Sequence, residues 1–217
     1  MIDLTAFEDH LTPALRKTFR RLDSPFAIQA YLDRLPYVAE VRDRSPLAVM
    51  QDGQCHCLDG GIFAALALAR LGFGAHILDL VPEPGKDDDH VLALYRVRGR
   101  WGAIAKSNYV GLRFREPVYR DLHELAITYF EWFNDTSRQK TLRGYTRPLD
   151  LGPLQRFDWM CDDQGIREVS RRLYRLKPRL LVDPAVVGGL SPLDERAYAA
   201  NTQGTNFDWV YGVRENP

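Results

Sequence analysis

Cysteine is scarce in this chain: three among 217 residues, at Cys55, Cys57 and Cys161. An odd number with two almost adjacent is no disulfide framework, and it points to a reducing, cytoplasmic setting. Net charge is missing too, since 29 Lys plus Arg balance 29 Asp plus Glu. That leaves no electrostatic reason to expect nucleic acid or an anionic membrane as the main partner. No stretch reaches the roughly 18 apolar residues needed to cross a bilayer. The start, Met-Ile-Asp-Leu-Thr-Ala-Phe-Glu-Asp-His, lacks the basic and apolar regions of a signal peptide. There is no internal repeat and no low-complexity tract. A phosphate loop is absent as well, because Gly60-Gly61 fits neither the P-loop nor the dinucleotide pattern.

What is present is an ordinary globular balance, 45% apolar and 27% charged. The length suits one α+β domain over residues 1–217, with no clean second domain. The basic stretches Arg16–Arg21 and Arg167–Arg179 are interleaved with apolar residues at helical spacing, as solvated helix faces are. Helices are expected from about Thr5 to Arg21, and from Ser24-Pro25 to before Pro36. Ser45-Pro46 opens another that ends near Gly53.

The most informative run follows, Cys55-His-Cys-Leu-Asp-Gly-Gly-Ile-Phe-Ala-Ala-Leu-Ala-Leu-Ala-Arg-Leu-Gly72. From Ile62 to Leu71 only Arg70 is charged, and a helix apolar on nearly all sides must be buried on nearly all sides. Gly72 supplies its stop. Ala75–Val81 is a short apolar strand, followed by the polar loop Pro82–Asp89. The runs His90–Val97 and Trp101–Ala105 flank Arg98-Gly99-Arg100 as the arms of a β-hairpin. Helical patterns recur at Asp121–Phe133, Leu154–Cys161, Ile166–Leu176 and Pro192–Ala200. The order implies segregated α+β: a buried helix packed on an antiparallel sheet, with extra N- and C-terminal helices. The core is expected over about 45–120, and an extension packed on it over about 140–217.

The chemistry centres on Cys57. A thiolate is the reactive form of cysteine, and a helix N-terminus favours it through free N–H groups and the dipole. Asp59 competes for the same positive field. The glycines Gly60-Gly61 would let another chain or a substrate approach closely. An imidazole must take the thiol proton and return it to the leaving group. His90 is the candidate, placed after Asp87-Asp88-Asp89, whose carboxylates would raise its basicity. A third group should orient the ring. A three-residue hairpin turn sets Asn108 opposite His90, and a two-residue turn sets Ser107 there. Asn108 is preferred.

With these residues in place, the run resembles the core of the transglutaminase-like superfamily, which is similar in mechanism to papain-type cysteine proteases. The shared features are a cysteine opening a helix, a glycine fifteen positions on, a histidine-led strand and a strand carrying Trp101. The stretch from Asp89-His90 through Lys106-Ser-Asn to Tyr119 also looks like an uncharacterised bacterial group of transglutaminase-like proteins. The resemblance implies Cys57 as nucleophile and His90 as base. The likeness to papain-type enzymes implies Gln51, six residues ahead, as an oxyanion donor. Two departures stand out: Ala105-Lys106-Ser107-Asn108 replaces the family's aspartate, and Val91-Leu92 replaces its aromatic after the histidine.

The resulting expectation is a cysteine hydrolase or acyltransferase acting on a peptide, protein or small amide or thioester. It needs no cofactor, no metal, no nucleic acid and no membrane. Two alternatives are a non-catalytic binding protein with a degraded triad, and a thiol redox switch using Cys55 and Cys57. Zinc is disfavoured because adjacent side chains such as those of Cys55-His56-Cys57 do not converge on one tetrahedral ion, and Cys161 and His76 are remote. The aromatic cluster Tyr129–Phe133 suits core packing. Arg113, Arg115 and Arg120 suit ion pairing with Glu116, Asp121 and Glu124.

Overall fold

The computed structural model describes residues 2–212. Proline and small polar caps set where its helices begin. The N-terminal helices are α1 (Thr5–His10), α2 (Pro13–Arg20), α3 (Pro25–Arg34) and α4 (Pro46–Asp52). Thr12, Ser24 and Ser45 each cap a helix whose first residue is proline. The helix expected over Thr5–Arg21 is therefore two helices, broken at the Thr12 cap before Pro13, where a proline ring is tolerated only in a first turn. Gly53 closes α4 at φ +66°, a left-handed conformation that suits glycine.

Next comes α5 (Cys57–Arg70), buried from Leu58 to Leu68 as its composition demands. The strands that follow are β1 (His76–Pro82), β2 (His90–Val97), β3 (Arg100–Ile104) and β4 (Arg115–Tyr119). After α6 (Leu122–Ile127) lie β5 (Leu142–Tyr145), β6 (Leu149–Asp150), α7 (Asp163–Leu173) and β7 (Arg179–Leu180). The chain finishes with α8 (Pro184–Val187) and α9 (Glu195–Asn201). All seven strands pair antiparallel in the order β4-β3-β2-β1-β5-β7, with β6 also on β1. Four of them, β4 to β7, had no distinct pattern in the sequence. Each spans two to five residues, too few for alternation to declare itself.

The β2–β3 turn holds two residues, Arg98 and Gly99, both at positive φ (48° and 81°), and Val97 faces Arg100. That is the twisted geometry preferred in tight hairpins. The register, continued past Ile104, sets Ser107 and not Asn108 against His90.

The sheet separates two apolar layers. Ile77, Val91, Ala93, Tyr95 and Ile104 face α5 and the N-terminal helices, and Ile166, Val169 and Leu173 of α7 join the same cluster. On the other face, Leu78, Leu80, Leu92, Leu94 and Ala103 pack against Leu125, Ala126, Tyr129 and Phe133. Strand alternation makes this division strict, so odd positions of β2 meet α5 and even positions turn away. Gly60 and Gly61 let β2 and β3 come close: a Cβ on Gly61 would sit 2.7 Å from Val91 Cγ1, and one on Gly60 2.3 Å from Lys106 Cβ. Their space is thus taken by the protein's own sheet. Among the described residues, no helix is long and apolar enough to cross a membrane.

Candidate functional site

Cys57 is the first residue of α5 and is half-buried. His56 caps the helix: its Nδ1 accepts the Leu58 N–H at 3.2 Å, while Asp59 reaches back to the His56 N–H. This is a capping box with histidine in the usual Ser/Thr place. Asp59 is wholly buried and also accepts the Arg44 N–H at 2.8 Å. The buried Arg44 guanidinium completes the group with ion pairs to Asp52, Asp59 and Glu40. Burial lifts the Asp59 carboxyl to about 6, with the His56 imidazole opposing it. For His56 burial acts downward, but hydrogen bonding to Asp43 and the charge of Asp59 outweigh it and the ring's pKa rises.

The ligand atoms of Asp43, His56 and Asp59 lie within 4.8 Å of one another, close enough for a metal ion. Their hydrogen bonds already account for the cluster. With Nδ1 accepting from Leu58, the imidazole proton sits on Nε2, which faces Asp43 at 3.4 Å and Asp59 at 3.2 Å. Binding a cation through Nε2 would turn Nδ1–H against the Leu58 N–H. The buried Arg44 charge adds repulsion.

The Cys57 sulfur meets the start of β2. It lies 3.7 Å from the Asp89 carbonyl oxygen, and the Val91 N–H bonds to it. Burial, and then the carboxylates of Asp89 and Asp88, push the thiol's pKa well above its ordinary value. Position 89, immediately ahead of β2, shares the parity of Val91, so the side chain offered toward the α5 layer next to Cys57 is a carboxylate. Asp89 hydrogen-bonds Asp79 of β1 and the Tyr174 hydroxyl. Each of the two aspartates keeps one buried oxygen without a donor, Asp79 Oδ1 and Asp89 Oδ2. A proton held between the carboxyls answers both. Burial and the Asp89 charge hold Asp79 up at about 9.

His90 takes the opposite parity. Its ring is buried on the far face of the sheet, stacks edge-on to Phe133, and sets Nε2 2.7 Å from the Leu112 carbonyl. Burial drives its pKa down to about 4 even though that carbonyl favours the charged form, and the Arg115 charge adds to the fall. Among the described residues no hydrogen bond joins the imidazole to the thiol, which has its own partners at the start of β2. The expected rise in basicity from Asp87–Asp89 is not seen either. Ser107 and Asn108 do line one small cavity with His90, of about 40 Å³. Both are committed elsewhere: Ser107 Oγ accepts the Tyr109 N–H, and the Asn108 amide bonds the backbone of Asn206 in both directions. Gln51 is exposed on α4 and is not among the residues lining the Cys57 cleft.

That cleft, about 170 Å³, is walled by Glu40, Asp43, Asp88, Asp89, Tyr37 and Tyr174 among others, with no lysine or arginine. Tyr37, Asp88 and Asp89 also wall the His90 cavity, so the two spaces adjoin across the start of β2. Cys55 is buried with its thiol raised to about 12 by burial, and faces Gly60 and Lys106; all three cysteines are free. Of the three arginines expected in ion pairs near the hairpin, Arg120 meets Glu124 and Arg113 meets Asp33. Arg115 instead lies over the Tyr129 ring at 4.0 Å. Sequence reasoning missed Asp79 and Tyr174. A lone carboxylate inside the apolar run Ile77-Leu-Asp-Leu-Val81 was the legible sign of the first, whereas nothing marked the second.

No family model matches the sequence, and no curated protein matches it. Among solved structures, two similar chains are Legionella pneumophila LapG and the same protein treated with EGTA. Identity is 9% and 10%, and the TM-score is 0.42 for both. The likeness covers 76% and 74% of this chain, and 94% and 95% of those.

Proposed function

We propose that this chain is a non-catalytic binding protein that kept a helix-on-sheet frame and uses the Cys57 cleft as its ligand site. The observation that carries the reading is the parity of β2, which sets the Asp89 carboxylate beside Cys57 and turns His90 to the other face. A thiol beside carboxylates keeps its proton, and an imidazole bonded to the Leu112 carbonyl in an apolar layer is a weak base. Beside His56, whose imidazole is engaged by Asp43 and Asp59, the cleft wall carries acidic and tyrosine side chains and no lysine or arginine, which favours a ligand with positive charge over an anionic one.

Cysteine-dependent acyl transfer is the second reading, with Cys57 as nucleophile, His90 as base and Ser107 or Asn108 behind it. It is favoured by the common walls of the Cys57 cleft and the His90 cavity. Iodoacetamide alkylation of Cys57, followed by mass spectrometry from pH 6 to 9.5, separates the two. Binding predicts a rate that climbs without a plateau below pH 8.5 and is unchanged in His90→Ala. A plateau below pH 7 in the wild-type chain would overturn the binding reading. A redox switch has no support in the geometry, because Cys55 faces Lys106 and Cys57 faces β2.

A further inference from the structure

The segment after α9 is held in an unusual way. Asn201, wholly buried, anchors its upstream end by bonding the Gly111 N–H, the Trp132 carbonyl and Asn134 Oδ1. Gly204 turns the chain at φ +77°. Asn108 then grips Asn206 by its backbone alone: Nδ2 donates to the Asn206 carbonyl at 2.8 Å and Oδ1 accepts the Asn206 N–H at 2.9 Å. Thr205 Oγ1 adds a bond to the Asn108 carbonyl at 2.7 Å. A side-chain amide is here playing the part of a neighbouring β-strand, and such a contact reads any extended residue that has an N–H.

Space flanks this grip on both sides. A cleft of about 380 Å³ lies toward Asp33 and Lys106, and the His90 cavity lies beyond, closed by Trp209, Val210 and Tyr211. Tyr37, Ser107, Asn108 and Tyr109 wall both, and the Tyr109 hydroxyl is buried without a partner. Residues 203, 204 and 206–208 are exposed, and Val210 is the buried apolar side chain of the segment. A stretch fixed chiefly by polar bonds with so little apolar burial belongs to the low-stability end of a fold.

We propose that Asn108 and its flanking clefts form a seat for a short peptide, which residues 203–212 fill in cis with Asn206 extended and Phe207–Trp209 wound into a 3-10 turn. The partner is a peptide with one extended residue at the grip, followed by a turn whose aromatic and aliphatic side chains take the places of Trp209 and Val210. Displacing the cis segment opens the His90 cavity. Nothing in this depends on the Cys57 cleft.

Asn206→Pro tests the seat in the full chain, because φ of −86° lies close to the proline range and the N–H is what the ring removes. Amide exchange at Trp209 and Val210 should run about tenfold faster in Asn206→Pro and Asn108→Ala. The synthetic peptide Gly-Thr-Asn-Phe-Asp-Trp-Val-Tyr-Gly should bind Asn206→Pro and restore the wild-type His90 ring resonances, yet leave Asn108→Ala unbound. Wild-type exchange in Asn206→Pro overturns the seat, as does failure of the peptide to bind where exchange has risen. Loss of protection across β1 and β2 in both variants would show the segment to be integral to the fold, which also overturns it.

Discussion

Asp79→Asn probes the buried carboxyl pair beside Cys57. Asp79 is 4% exposed on β1, opposite Val91, and the charged or titratable groups that face the pair are Asp88, Cys57 and Tyr174, none of them a fixed cation. Its carboxyl is raised to about 9, from an unfolded value near 3.9. A raised pKa means the native state retains a proton that the unfolded chain has shed. Stability is therefore full at low pH and falls as pH climbs from about 4 to about 9. One retained proton is worth about 1.4 kcal/mol per pH unit. Between pH 7.5 and 8.5 the raised carboxyls of Asp59 and Asp87, at about 6 and about 7, have largely finished titrating. Over that unit the wild-type chain should lose about 1.4 kcal/mol more than Asp79→Asn, whose amide cannot ionise. Urea unfolding at both pH values reads the difference, and subtracting the variant removes titrations common to both, including that of Cys57. Equal losses in the two proteins would refute the shared proton.

Gly61→Ala should destabilise by about 1–3 kcal/mol, since the new methyl falls 2.7 Å from Val91 Cγ1, and Val91→Ala in the same chain should recover part of it in urea titrations. Asp59→Ala removes the acceptor of two backbone N–H groups and leaves Arg44 buried with one partner fewer. A loss of about 3–5 kcal/mol is expected, with Cys57 alkylating faster once α5 frays, and an unchanged thermal midpoint would refute that role.

Much of the frame was legible because local physics writes it. The prolines after Ser24 and Ser45 announce helix starts, and Thr12-Pro13 carries the same signal inside a stretch read as one helix. An all-apolar run from Ile62 to Leu68 can only be a buried element, whereas Arg98-Gly99-Arg100 marks a hairpin without fixing whether its turn has two residues or three. The short strands β4 to β7 were not legible, because two to five residues carry no periodicity and their pairing comes from neighbours distant in sequence.

Composition and spacing by themselves determined that a helix beginning at Cys57 would be buried against strands led by His90 and Trp101. Which face of β2 each residue meets was decided only by the packed structure. One residue of shift exchanges the two faces of a strand, and β2 from Val91 to Tyr95 is apolar on both. The fit of Val91 against Gly61 sets that register, and with it the thiol gains a carboxylate for a neighbour while the imidazole goes to Leu112.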